Sequence, residues 1–467
     1  MALKIVETFL EVWPQWVAIL TVTLLSVSFG LVIGWTSPYL ALLIREDSAL
    51  HITEDEASWI ASLVPFGRLF GAVVGSIIME YFGSKMALLV SAVPAMVGWI
   101  CIIFANSAAW LFVARICGGI SLGMFFSCFP MYAGEIASAN IRGALVSMII
   151  NGMPLGTLIG NILGTQLSMP WFGIISLILS ICYIVIFPFL PQSPHYHVRQ
   201  NHLDQARRAI RWYRQKSDVD VELEAIENFV RTTKSKRFLE KLKQLSEQRN
   251  RRIFCMVLMM FIFMQLSGLN TIIFYMEIIV RKAEVTSLEP ASVVIVSSGF
   301  GIVVGWIGVY LIDRCSRRVL IAVSCSCVII AMALLGLHFT LLDQHFDPKS
   351  LEWMPILAMM LFMMMSIGLV PVPNTMLSEL FPDDLKSIAG FAVSITSALF
   401  AFICSRTYQP LVDLISEMYV FWMYALIMTV CLIYSISAVP ETKGKSLQEI
   451  QEMLSGNSLQ EETVRTA

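Results

Sequence analysis

Met264-Gln265-Leu266-Ser267-Gly268-Leu269-Asn270-Thr271-Ile272-Ile273-Phe274-Tyr275 is the stretch on which the fold turns. It lies inside an apolar run, residues 253–280, long enough to cross a bilayer. Its middle nonetheless carries Gln, Ser, Gly, Asn and Thr. A polar amide in hydrocarbon costs free energy unless it is hydrogen-bonded or faces water. In a regular helix Gln265 and Asn270 point about 140° apart. Gly268 between them lowers the cost of local unwinding, which would let both amides face one cavity. Two readings stay open on this stretch alone: the amides contact a solute, or they bind neighbouring helices together.

The rest of the chain has the same character. Of its 467 residues, 57% are hydrophobic and only 14% charged, a balance outside any soluble globular class. Apolar runs recur at 13–41, 57–80, 86–105, 110–133, 142–166, 171–190, 253–280, 290–312, 319–341, 353–380, 388–411 and 419–439. This reads as an all-α membrane protein of twelve transmembrane helices, with Trp residues such as Trp13, Trp59 and Trp353 near span ends. The ten Cys fall almost all within apolar runs without zinc-type spacing, so neither a metal site nor a cofactor is expected. No cleavable leader is legible, so the first span is expected to be retained.

The spans divide six and six around a polar segment, giving an N-terminal bundle (1–190), a linker with helical stretches at 203–213 and 221–230 (191–252), a second bundle (253–440) and a tail (441–467). The linker is rich in Arg (Arg207, Arg208, Arg211, Arg214, Arg249, Arg251, Arg252), which by the positive-inside rule places it and both termini in the cytoplasm. Interspersed acids such as Asp218, Glu222 and Glu227 point to a solvated helical domain and away from nucleic acid.

The halves repeat. Gly75-x4-Glu80-Tyr-Phe-Gly-Ser-Lys85 matches Gly308-x4-Asp313-Arg314-x-x-Arg317-Arg318 in spacing, and Glu135-x6-Arg142 matches Glu379-x6-Lys386. Repeated six-span units imply two bundles rocking about a midplane site. The charges at the span ends would pair when one mouth is shut and separate when it opens. Acids contribute little to topology, which favours this gating role over a purely topological one.

In this order and spacing the motifs identify a family. Pro440-Glu441-Thr442-Lys443-Gly444-Lys445, Gln265-Leu266-Ser267-Gly268-Leu269-Asn270, Asp313-Arg314-x-x-Arg317-Arg318, Glu379-Leu380-Phe381-Pro382 and Tyr132-x-x-Glu135 with Arg142-Gly143 resemble the sugar porters of the major facilitator superfamily. Gly34-Trp35-Thr36-Ser37-Pro38 is similar to the version in insect facilitative trehalose and glucose transporters. The resemblance implies the two-bundle fold, alternating access, and Gln265 and Asn270 in a sugar cavity. Ser267, Phe274, Tyr275, Asn161 and Asn374 join them as substrate-binding candidates, and Arg115 matches a structural Arg of the family.

Departures from the pattern fall on the site. Met264 stands where a second Gln is usual, Ile150 where span five carries Gln, Ser366 where span ten carries an acid, Asn374 where a Trp follows the prolines, and Ser84 where an Arg is usual. Arg68, mid-way along span two at a position usually small, is an added charge. It would cost at least about 2.5–3.5 kcal/mol to insert and is a further substrate-facing candidate, unless it pairs within its own bundle.

No acid lies between Val12 and Ile44, where proton-coupled members of the family carry Asp, so uniport is expected. No nucleophile–base pair or phosphate loop is legible, which points away from an enzyme. The leading expectation is facilitative transport of a sugar such as trehalose or glucose across the plasma membrane by a monomer. Alternatives are a different amphipathic or anionic solute, and a non-transporting sugar sensor.

Overall fold

A computed structural model describes residues 2–138, 141–215, 218–233, 243–312, 314–381 and 383–441. Among them, twelve helices are long and apolar enough to cross a membrane, in close register with the apolar runs. The chain divides into two compact units, Met1–Ser235 and Lys236–Ala467.

The first unit contains α1 (Ala2–Gly34), α2 (Thr36–Leu43), α3 (Glu54–Phe82), α4 (Ser84–Ile103), α5 (Ala108–Ile136), α6 (Arg142–Gln166) and α7 (Met169–Ile186), followed by linker helices α8 (Pro194–Arg199), α9 (Leu203–Tyr213) and α10 (Val219–Thr233). Local signals set several boundaries. Thr53 and Glu56 form a reciprocal capping box at the start of α3, and Gly83, at φ 85°, ends α3 and opens α4. α1 packs mainly on α6, and α3 mainly on α5. Both contacts are backbone on backbone: a Cβ placed on Gly30 would lie 2.6 Å from Gly156 Cα, and one on Gly67 would lie 3.0 Å from Gly119 Cα. Small residues are what permit such approach between helices in lipid.

The linker helices close a small core of Val198, Ala206, Ile210, Leu223, Ile226 and Val230. They are fastened to span ends by polar contacts. Gln15 Nε2 donates to the Tyr213 carbonyl (3.0 Å) and to Ser138 Oγ (2.7 Å), and Tyr213 Oη donates to the Pro191 carbonyl (2.8 Å).

The second unit contains α11 (Gln248–Leu266), α12 (Leu269–Lys282), α13 (Pro290–Ile312), α14 (Arg317–Asp343), α15 (Pro348–Leu351), α16 (Trp353–Met363), α17 (Pro371–Leu380), α18 (Asp383–Ile415) and α19 (Glu417–Ala438). Among the described residues, two of its spans are interrupted. Span seven breaks between α11 and α12, and span ten runs through a 3-10 turn at Met364–Ile367 before Pro371 opens α17. Broken helices at membrane depth leave unpaired backbone groups, tolerated only where protein or water satisfies them.

Candidate functional site

The break in span seven sits where the sequence placed it. Gly268 adopts the left-handed conformation (φ 81°, ψ 17°) that only glycine enters without strain. The turn brings the two amides together: Asn270 Nδ2 donates to Gln265 Oε1 at 2.8 Å. Gln265 Nε2 in turn donates to Ser397 Oγ on α18, also at 2.8 Å. Gln265 is buried while Asn270 is half-exposed, so the chain Ser397–Gln265–Asn270 runs from packed protein toward an accessible end. Each of these contacts uses one of the two donors, or one of the two acceptor positions, of the Gln265 amide. Of the two roles considered for the amides, the binding of neighbouring helices is the one seen here, through Gln265 to Ser397.

The other candidates on this span are packed inward. Ser267 is fully buried and returns its hydroxyl to the Met264 carbonyl (2.7 Å). Phe274 and Tyr275 are buried, with the Tyr275 ring 4.9 Å from that of Tyr408. Asn374 is exposed and bonds the Val370 carbonyl of its own helix at 2.9 Å. In the first unit Asn161 is buried on α6, beside Gly34. Ile150, at the position of the missing span-five Gln, is exposed, and neighbouring Asn151 bonds back to the Ser147 carbonyl (2.8 Å). Arg68 is half-buried on the side of α3 opposite the exposed Phe70 and Ile77. Its guanidinium carbon lies 5.9 Å from the centre of the Phe126 ring on α5, within cation–π reach.

The charges at the span ends form local networks. In the first unit Ser84, in place of the usual Arg, donates to Glu135 Oε2 at 2.6 Å, and Arg199 of α8 lies 3.6 Å from the same carboxylate. Lys85 is held by carbonyls at the end of span six, donating to Pro188 O at 3.1 Å and to Leu190 O, a C-terminal helix cap in place of an acid partner. Glu80 and Arg142 are exposed, and among the described residues neither forms an ion pair. Arg115 is fully buried and satisfies the kink of span one. It donates to Val32 O (2.8 Å), Ile60 O (3.3 Å) and Thr36 Oγ1, and lies over the Trp35 ring at 4.7 Å. A buried guanidinium needs such acceptors.

In the second unit Arg317 pairs with Glu379 at 2.7 Å. Arg318 donates to the Val439 carbonyl at 2.5 Å, and Arg314 lies over the Tyr310 ring at 4.3 Å. Lys386 is half-buried on α18. Asp313 lies outside the described residues.

Three groups escaped the sequence reading. Ser397, one of three serines in an apolar span, gave no signal. Glu441 accepts from Ser316 Oγ and the Arg317 backbone N–H (3.2 Å), capping α14; it lies in the quoted closing motif and was legible there as sequence, though not as a cap. Glu352 accepts from the backbone N–H groups of Thr286 (2.8 Å) and Ser287 (3.1 Å), and Lys282 pairs with Glu417 at 2.7 Å, so the end of α12 farthest from Gly268 is tied down by charge.

These features have counterparts among known proteins. The facilitated trehalose transporter Tret1 of Bombyx mori is 30% identical over 451 residues, covering 96% of this chain and 88% of that protein. Tret1 of Anopheles gambiae is 29% identical over 448 residues, covering 95% of this chain and 56% of its own length, so the chain spans little more than half of that relative. Among solved structures, the inward-open conformation of the xylose transporter XylE from E. coli superposes with a TM-score of 0.77 at 19% identity, over 94% of this chain and 99% of that one. The proton:xylose symporter XylE of the major facilitator superfamily, bound to 6-bromo-6-deoxy-D-glucose, gives 0.73 at 19% identity over the same shares. This is therefore a major facilitator superfamily fold. The profile of the sugar (and other) transporter family matches residues 18–454, and the chain belongs to that family.

Proposed function

We propose that this protein is a facilitative uniporter that moves a sugar, such as trehalose or glucose, across the plasma membrane by alternating access. The observation that supports it best is the Ser397–Gln265–Asn270 chain at the break in span seven. Amides donate and accept at once, as hydroxyls do, so a partly satisfied amide pair suits a polyhydroxylated solute. The names of the relatives agree with this reading, and the absence of any acid in residues 13–44 supports uniport over proton coupling. The reading has the termini and linker in the cytoplasm and the monomer as the working unit.

Uptake of labelled trehalose and glucose into proteoliposomes tests it. Saturable uptake that Gln265→Ala lowers by roughly 10- to 100-fold, the value of one or two lost hydrogen bonds, would support the assignment. Well-folded protein that carries neither sugar would remove it.

A second reading has its own observation. Arg68, turned away from the exposed side of α3 and set against Phe126, would suit a solute bearing an anionic group. A competition screen of sugar acids against neutral sugars separates the two.

A further inference from the structure

The linker helix α9 carries a surface that sugar transport does not use. Its buried side is Ala206, Ala209, Ile210 and Tyr213. Next to that side, on the exposed flank, Trp212 lies 6.3 Å, ring centre to ring centre, from Trp13 of α1. Trp13 stands at the start of the apolar run of span one, and the last charge before it is Glu11. The height of α9 is fixed independently by Tyr213. Its carbonyl accepts from Gln15 in the first turn of that span, and its hydroxyl donates to Pro191 O just past span six. It also lies 3.3 Å from the Tyr132 hydroxyl near the end of span four. Three span ends thus hold this end of α9 at the level where apolar helix gives way to water, the depth preferred by tryptophan.

Two cations lie to one side of Trp212, on the exposed part of α9. Arg208 is one helical turn before Trp212 and about 40° from it around the axis, and Arg211 lies about 100° from it. Both are exposed. The neighbouring arginines are already engaged: Arg207 pairs with Asp220 at 3.0 Å and Arg214 with Glu222. Among the described residues Arg208 and Arg211 have no acid partner.

We propose that Trp13, Trp212, Arg208 and Arg211 form a seat for the headgroup of an acidic phospholipid. The indoles lie along the glycerol and upper acyl region, and the two guanidinium groups hold the phosphate and its added negative charge. Aromatic rings at interfacial depth beside fixed positive charge are the combination by which helices bind anionic lipid surfaces. A soluble anion would use the arginines alone and has no need of the paired indoles. This seat is separate from the solute site and does not depend on which solute is carried.

The test titrates the purified full-length chain with phosphatidylserine and, separately, phosphatidylcholine, and counts bound lipid by native mass spectrometry. Phosphatidylserine is expected to bind more tightly than phosphatidylcholine. The R208Q/R211Q double variant should lose roughly thirtyfold in phosphatidylserine affinity, from about 1 kcal/mol per basic residue near a charged surface. R208K/R211K should keep the affinity within about threefold, and R207Q, whose arginine is already paired, should match the wild type. Unchanged phosphatidylserine binding in R208Q/R211Q would overturn the proposal. So would equal binding of phosphatidylcholine, or displacement of the lipid by millimolar inorganic phosphate.

Discussion

Gln265 is held at both ends of its amide, by Ser397 and by Asn270, so its orientation is set by the protein itself. Ser397→Ala should free that amide to rotate. The expected result is a three- to tenfold rise in KM with kcat nearly unchanged, because about 1 kcal/mol of positioning is lost from bound states generally. Equal losses in kcat and kcat/KM would place Ser397 in the transport step itself. The Gln265–Asn270 pair was legible in the sequence because two amides in an apolar run are conspicuous. Ser397 was not, since its meaning comes entirely from a partner 132 positions away. Arg68 was equally conspicuous as a residue, and its ring contact with Phe126 needed the packing of α3 on α5 to be known.

Span seven depends on one backbone angle. Gly268→Ala would force a side chain into the left-handed region, with its Cβ 3.4 Å from the Tyr424 ring. The strain is about 1–2 kcal/mol, read as a lower thermal midpoint together with slower uptake. A variant as stable and as fast as wild type would show that the break does not depend on glycine. The linker offers a pH-dependent counterpart. Burial first, then the nearby cations Arg199, Arg214 and Arg142, hold the His195 imidazole down to about 4, against a backbone hydrogen bond with Glu135 that raises it. An undocked ring titrates near 6.5, so the docked state is unaffected above that pH and loses stability as pH falls toward 4. The cost between pH 7 and pH 5 is about 2 kcal/mol. Thermal midpoints across that range should fall in wild type and fall less in His195→Asn. Helices were readable at this scale because periodicity reports them, and 203–213 was placed without error. The docking of those helices onto span ends was not, because Gln15, Tyr132 and Tyr213 are far apart in the chain.

At the scale of the whole molecule, the two halves repeat their charge motifs but satisfy them differently. The second unit keeps an acid–base pair, Arg317 with Glu379, while the first answers Glu135 with Ser84 and a distant Arg199 and gives Lys85 to carbonyls. Spacing alone made the repeats visible, and it could not tell a pair from a helix cap. Glu379→Ala should therefore slow turnover several-fold while surface expression stays normal; wild-type kinetics in that variant would relieve the pair of any gating role. Uniport makes its own demand: sugar uptake should be unchanged when a protonophore collapses the proton gradient. One packing detail reaches further, into how the chain is made. Gly30 and Gly34 on α1 accept the backbone of α6 so closely that no side chain fits between them. Yet α3, α4 and α5 are synthesised first. At ordinary elongation rates the roughly 125 residues between Gly30 and Gly156 take about 6–25 s to appear. During that interval the first span must wait in lipid with a bare glycine groove on its flank, open to any helix or chaperone that reaches it before its partner emerges from the ribosome.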